Sequence, residues 1–128
     1  MAPGLVVRHS HEAAFVVKVP ANWVYKDATY PSDHSTEWWR APGGAARLEV
    51  QVSACVGCAA QPAHLVPIRG ARIVRLDRWR LRYSKGLRWG LVVVLHDASG
   101  IQGFARVDLW LPAAQRALAG PILASFRI

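Results

Sequence analysis

Glycine and proline recur along this sequence, and many of the gaps between them are about ten residues long. That spacing constrains the fold more than any other feature. Such intervals suit short strands joined by turns and leave little room for a long helix. We expect a single domain spanning residues 1–128, because a chain of this length buries enough surface to fold without a disulfide or metal. The turn-forming positions are Pro20, Pro31, Pro42–Gly44, Pro67, Gly70, Gly86, Gly90, Gly100, Gly103, Pro112, Gly120 and Pro121.

The segments between these positions carry strand patterns. In Ala46–Ala54, apolar and polar residues alternate, which predicts a strand with one buried face. The last three candidates are separated by turns at Ser84–Gly86 and Asp97–Gly100, so we expect them to form an antiparallel meander. The predicted strands are Ala14–Val19, Ala46–Ala54, Ala71–Tyr83, Gly86–His96 and Ile101–Leu111.

Helical patterns are confined to two segments. Ala113–Phe126 has apolar residues in rough helical phase after Pro112, and Pro121 predicts either a kink or two short helices. Cys58–Leu65 predicts one or two helical turns. The predicted fold class is therefore α+β: an antiparallel sheet of about five or six strands, with a C-terminal meander and one or two covering helices.

Two segments resemble the PsbP-like family. Phe15–Trp23 is similar to that family's opening strand with its Pro-x-x-Trp turn, and Ile122–Phe126 is similar to its closing helix-to-strand segment. The resemblance implies a six-stranded antiparallel sheet sandwiched between helices. It also implies a binding or scaffold role, because the family includes a Ran-GTPase partner and a photosystem subunit. The matched positions are structural, so no binding residue carries over.

The charge is strongly basic. Sixteen Lys and Arg residues oppose eight Asp and Glu residues, and eight of the basic residues fall between Arg69 and Arg88. This balance favours an anionic partner, although a charge run is usually a solvated face. The longest apolar run, Leu91–Leu95, is too short to cross a membrane, and Met1–Arg8 lacks the pattern of a signal peptide. We therefore predict a soluble cytoplasmic protein, bacterial in character, that does not bind membranes.

The segment around residue 80 concentrates this charge on one side of a strand. Arg78, Arg80 and Arg82 alternate with aromatic or aliphatic residues, so the three arginines share one face. Guanidinium groups repeating along a strand suit a single-stranded nucleic acid or another polyanion. The aromatic residues, however, lie on the opposite face, whereas a stacking platform needs both on the same face.

Trp38, Trp39 and Arg40 are the best sequence indication of a binding surface. The two tryptophans cannot both face inward from one strand, so we expect one of them to be exposed, as anchors for partners are. The alternative is that both pack against different layers of the core. We predict a non-enzymatic binding or protein-interaction module, using these residues together with Arg78, Arg80 and Arg82. It needs no cofactor, and its partner is a protein or a small anionic ligand.

The pair Cys55 and Cys58 supports a different hypothesis. A CxxC sequence after a strand is typical of proteins that catalyse thiol–disulfide exchange. One alternative hypothesis is a structural pair of thiols, and another is half of a zinc site with His64 as a third ligand. Nothing in the spacing selects a fourth ligand, so we predict no metal site.

Two polar clusters complete the candidates. His9 and His11 share one strand face, as a metal-binding pair would, but a solvated N-terminal segment explains them equally. Asp33–Glu37 places a histidine beside carboxylates, as general acid–base catalysis needs, although turns and caps gather the same residues. We therefore assign no catalytic residue.

Overall fold

The computed structural model describes residues 4–27, 34–54 and 61–128. These residues form nine strands in two sheets, two short 3-10 helices and one α-helix. The strands are β1 (Leu5–His9), β2 (Val16–Pro20), β3 (Val24–Asp27), β4 (His34–Arg40), β5 (Arg47–Ala54), β6 (Arg72–Arg75), β7 (Arg80–Lys85), β8 (Arg88–Asp97) and β9 (Gly100–Trp110). The 3-10 helices are Pro62–Leu65 and Ala113–Leu118, and α1 is Ala119–Ser125.

The main sheet contains seven strands in the order β3-β4-β5-β9-β8-β7-β6, and every pair is antiparallel. β7, β8 and β9 are consecutive neighbours, as the predicted meander requires. β1 and β2 form a separate two-stranded hairpin. The α+β class is confirmed. The main sheet is larger than the five or six strands expected, because β3 and β4 gave no clear sequence signal and the predicted strand Ala71–Tyr83 is divided into β6 and β7.

The main sheet has two unlike faces. The face that we call inner carries Leu48, Val50, Val107 and Leu109, which are fully buried. The β1–β2 hairpin and α1 cover this face, and Phe15, Val17, Val19, Ile122 and Phe126 complete its core. The opposite, outer face is covered in part by the first 3-10 helix, where Leu81, Tyr83 and Val92 form a smaller cluster.

The prediction of one long strand over Ala71–Tyr83 is wrong, because the chain reverses direction within this segment. β6 and β7 pair as a hairpin, and the amide of Leu76 donates to the carbonyl of Arg80 at 3.0 Å. Asp77 stabilises this turn by accepting from the Trp79 amide at 2.8 Å. The turn contains neither glycine nor proline, the residues from which the other turns were predicted.

The C-terminal helical segment is divided, as Pro121 predicted. The Ala113–Leu118 3-10 helix leads directly into α1, and Pro121 is the third residue of α1. A proline is tolerated there because the amides of the first helical turn have no intrahelical acceptor. The predicted turns of Cys58–Leu65 appear within the described part of that segment as the 3-10 helix Pro62–Leu65. Among the described helices, none is long and apolar enough to span a bilayer.

Candidate binding surface on the outer face

Strand register brings arginine and tryptophan side chains together on the outer face. Arg40 of β4 lies opposite Arg47 of β5, Arg47 lies opposite Trp110 of β9, and Trp110 lies opposite Arg88 of β8. Trp38 precedes Arg40 by two residues and therefore points to the same face. We call these five residues the arginine–tryptophan ladder.

The ladder is held by contacts between guanidinium groups and indole rings. The Arg40 and Arg47 guanidinium carbons lie 5.0 and 5.1 Å from the centre of the Trp38 ring. Those of Arg47 and Arg88 lie 4.1 and 4.7 Å from the centre of the Trp110 ring. Each indole therefore carries two guanidinium groups at cation–π distance. All five side chains are half-buried, so the ladder is both ordered and accessible.

Asp108 binds Arg88 and thereby fixes one end of the ladder. Its Oδ1 accepts hydrogen bonds from Arg88 Nε at 3.2 Å and Arg88 Nη2 at 2.9 Å, and the Tyr83 hydroxyl donates to the same oxygen. Arg106 Nε lies 3.7 Å from the other carboxylate oxygen. The carboxylate is almost completely buried. Burial and the negative charge of Asp108 together raise the pKa of the Tyr83 hydroxyl.

Gly90 makes the Tyr83–Asp108 contact geometrically possible. Tyr83 lies opposite Gly90, which in turn lies opposite Asp108, so the Tyr83 ring must cross β8 to reach the carboxylate. A Cβ on Gly90 would collide with the Tyr83 ring atoms. The absence of a side chain at this one position lets the ring lie across the strand.

Glu49 is the second carboxylate on this face and lies between Trp38 and Asp108 in the register. Burial raises the pKa of Glu49, the negative charge of Asp108 raises it further, and nearby arginines oppose the shift. Arg40 and Arg47 form no ion pair with a carboxylate among the described residues. The Glu49 carboxylate, which interacts electrostatically with Arg47 and Arg88, therefore offsets only part of the ladder's positive charge.

The predicted binding residues occupy separate places. Trp38 and Arg40 belong to the ladder, whereas Trp39 is 1% exposed and packs in the inner core against Phe15. One tryptophan of the pair is thus partly exposed and the other buried. Arg78 lies outside the strands, with its guanidinium 4.6 Å from the Trp79 ring centre.

Arg80 and Arg82 point to the inner face of the sheet. Arg82 lies opposite Leu91, which belongs to the inner core, and both arginines line a cavity beside α1. Sequence reasoning placed them correctly on one side of a strand, but the same side carries the C-terminal helix. It missed Arg47 and Trp110, whose only signal is strand alternation combined with a register that the sequence does not reveal.

The polar cluster ending in Glu37 has a structural role. The Glu37 carboxylate is fully buried, and it accepts from Ser10 Oγ at 2.6 Å, from the His11 amide at 2.6 Å and from the Tyr25 hydroxyl at 2.9 Å. These bonds tie the turn after β1 to β3 and β4. Asp33, at the other end of this predicted cluster, lies outside the described residues.

The predicted metal and redox candidates have different outcomes. In residues 4–27, 34–54 and 61–128, no three His, Cys, Asp or Glu side chains are grouped as a metal site requires. The His11 ring instead stacks on Tyr25, with ring centres 3.9 Å apart. Cys55 and Cys58 lie outside the described residues, so the redox hypothesis remains a prediction.

Comparison with known proteins finds similarity in structure alone. No family model matches the sequence, and no curated protein sequence matches it. The solution structure of cyanobacterial PsbP from Synechocystis sp. PCC 6803 superposes with a TM-score of 0.61, covering 100% of this chain and 94% of that one at 13% identity. The chain has a PsbP-like fold. The resemblance seen in Phe15–Trp23 and Ile122–Phe126 is therefore confirmed for the fold, and identity this low shows nothing further.

Proposed function

We propose that this protein is a non-enzymatic binding module whose arginine–tryptophan ladder recognises an acidic protein surface. The observation that carries the proposal is the alternation of three guanidinium groups with two indoles across four neighbouring strands. It retains two of the residues expected from sequence, Trp38 and Arg40, and adds Arg47, Arg88 and Trp110. We further propose that the module acts in the cytoplasm without a cofactor.

The stacked geometry suits carboxylate recognition. A guanidinium group that lies over an indole keeps the N–H groups around its edge available, and two of them match the two oxygens of a carboxylate. Arg47 is within cation–π distance of both indoles, so its side chain is already ordered before a partner arrives. Binding then loses less side-chain entropy than it would with a free surface arginine.

The ladder side chains favour binding over chemistry. Guanidinium and indole groups do not exchange protons near neutral pH, so neither supplies a general acid or base. Aromatic residues and arginine are also the residue types that dominate the energetics of protein interfaces. Glu49 and Asp108 lie on the same face of the sheet as the ladder, and their negative charges limit how much positive charge a partner must neutralise.

The same contacts disfavour single-stranded nucleic acid. A nucleobase binds such a protein by stacking on an exposed aromatic ring. Here each indole already carries two guanidinium groups, so a base must displace one of them before it stacks. A polyanion that contacts only the guanidinium edges has no such cost.

The proposal is tested by titrating the protein with a fluorescently labelled oligoglutamate peptide and, separately, with oligodeoxythymidylate of equal charge. We expect the peptide to bind with an affinity that falls as salt concentration rises. Arg47→Gln should weaken peptide binding by about tenfold, the usual consequence of losing a charge-assisted hydrogen bond. Arg78→Gln is the matched control, because Arg78 stacks on a single tryptophan outside the ladder.

Two results would contradict the proposal. In the first, Arg47→Gln and Arg78→Gln weaken peptide binding equally, so that only net charge matters. In the second, oligodeoxythymidylate binds more tightly than the peptide and quenches the ladder tryptophans, which would favour the nucleic-acid hypothesis.

A further inference from the structure

A second arginine cluster lies on the inner face, away from the ladder. A cavity of about 380 Å³ opens between β6, β7 and the C-terminal helices. Its lining includes a serine and three arginines from separate elements, namely Ser84, Arg72 of β6, Arg82 of β7 and Arg116 of the second 3-10 helix. We call this site the arginine groove. No carboxylate side chain is present among the described residues that line it.

The three groove arginines lack partners within the described part of the chain. Neither Arg72, Arg82 nor Arg116 forms an ion pair there, and Arg82 Nε is buried without a hydrogen-bond acceptor. A buried N–H without an acceptor costs folding free energy, more so when it belongs to a charged group. The neighbouring Arg80 differs, because its Nε donates to Asp77 at 2.8 Å. The groove therefore holds three cations and a buried donor that an incoming oxyanion can satisfy.

Apolar side chains form the remaining walls. Val74, Leu76, Trp89 and Leu123 line the same cavity. A smaller cavity of about 210 Å³ shares Leu76, Arg82 and Leu123 with it and extends along Leu91, Val93 and Phe126. A ligand whose anionic group meets Arg82 can therefore place an apolar group against Trp89 or Leu123. The larger cavity alone is within the range of volumes that hold small organic ligands.

We propose that the arginine groove binds a small organic oxyanion, a carboxylate or phosphate that carries an apolar group. Guanidinium groups from three separate elements surround the anionic end, and the adjoining apolar walls bury the rest. This site is independent of the ladder, since the two lie on opposite faces of the sheet. A failure of either proposal therefore leaves the other standing.

The probes that test the groove distinguish the contribution of its arginines from that of its apolar walls. Octyl phosphate below its micelle concentration supplies both an oxyanion and an apolar chain, inorganic phosphate supplies only the anion, and octylamine supplies the chain with the opposite charge. By isothermal titration calorimetry we expect octyl phosphate to bind at least about tenfold more tightly than phosphate, because burying only two methylene groups already accounts for that factor. We expect octylamine not to bind.

The matched variants lie on one strand. Arg72 and Arg75 are both exposed residues of β6, but Arg72 lies opposite Ser84 on the inner face and Arg75 lies opposite Leu81 on the outer face. Arg72→Gln should weaken octyl phosphate binding several-fold, and Arg82→Gln by about tenfold, because each removes a charge-assisted hydrogen bond. Arg75→Gln and Arg47→Gln should leave the affinity within about twofold, since neither side chain reaches the groove.

The groove proposal is overturned if octyl phosphate does not bind the wild-type protein. It is also overturned if Arg75→Gln weakens binding as much as Arg72→Gln, since net charge alone would then explain the affinity. Equal binding of octylamine would show that the cavity selects only apolar surface. Because Arg72 is exposed, its variant should fold normally, and an unchanged circular dichroism spectrum and melting temperature will verify this.

Discussion

The ladder and the arginine groove contain the same basic residue in opposite environments. In the ladder, the guanidinium groups lie on indole rings, and Arg88 is paired with the buried Asp108. In the groove, Arg72, Arg82 and Arg116 line a cavity with apolar walls, and no carboxylate is among the described residues that line it with them. The comparison shows that net charge does not specify a binding site. Our proposals assign a broad protein contact to the surface where indole rings hold the guanidinium groups, and a small anion to the one where a cavity adjoins them.

Removing the buried carboxylate of the ladder should produce the largest effect. Asp108→Asn leaves Arg88 and Arg106 without their anionic partner and replaces the charged acceptor of the Tyr83 hydroxyl by a neutral amide oxygen. We expect a loss of about 3 kcal/mol in the free energy of unfolding, as when one member of a buried ion pair is deleted. Urea denaturation measures it.

The control for this change is an exposed ion pair outside the ladder. Asp77→Asn breaks the Arg80–Asp77 ion pair, whose side chains are 49% and 43% exposed. Exposed pairs are screened by water, so this variant should unfold at nearly the wild-type urea concentration. Equal destabilisation by the two substitutions would contradict the assignment of the buried Asp108 carboxylate as the anchor of Arg88.

An intermediate effect is expected where the ladder depends on a missing side chain. Gly90→Ala places a methyl group where the Tyr83 ring crosses β8, so the ring must move and its bond to Asp108 is weakened. Overpacking of this kind costs about 1–3 kcal/mol. Gly120→Ala is the matched control, because a Cβ at Gly120 meets no atom within 4 Å. A Gly90→Ala protein as stable as wild type would show that the Tyr83–Asp108 contact contributes little.

The smallest effect concerns how the stability of the folded protein depends on pH through Glu49. The pKa of Glu49 is raised in the folded protein, so folding favours its protonated form. Its contribution to stability is complete below its unfolded-state value of 4.5 and is lost as pH rises through the folded-state pKa. Glu49→Gln should therefore be at least as stable as wild type at pH 7 and should lack this part of the pH dependence. Destabilisation of Glu49→Gln at pH 7, measured by thermal unfolding, would contradict this assignment.

Local patterns in the sequence were sufficient for the meander and for β5, because alternation and turn residues act within a few positions. They were insufficient for β3 and β4, which are recognised only by the strands that pair with them. The Leu76–Trp79 turn was missed because Asp77 replaces glycine or proline as its stabilising residue. The core of the sheet was thus predictable and its edges were not.

The candidate site was predictable only in part for the same reason. Trp38 and Arg40 are adjacent enough in the chain to be recognised as a surface. Arg47, Trp110 and Arg88 join them only through the registers of three strand pairs, which local sequence does not specify. Arg80 and Arg82 share one side of their strand, but the sequence did not reveal whether that side faced water or a helix, because this depends on where α1 packs.

Indole N–H resonances of the ¹⁵N-labelled protein test the central claim most directly, because each surface has its own tryptophan. Trp38 and Trp110 report on the ladder, and Trp89 reports on the arginine groove. Oligoglutamate should shift the Trp38 and Trp110 signals and leave Trp89 unchanged, whereas octyl phosphate should shift Trp89 alone. If both probes shift the same indoles, or if the pattern is reversed, the assignment of two separate binding surfaces is wrong.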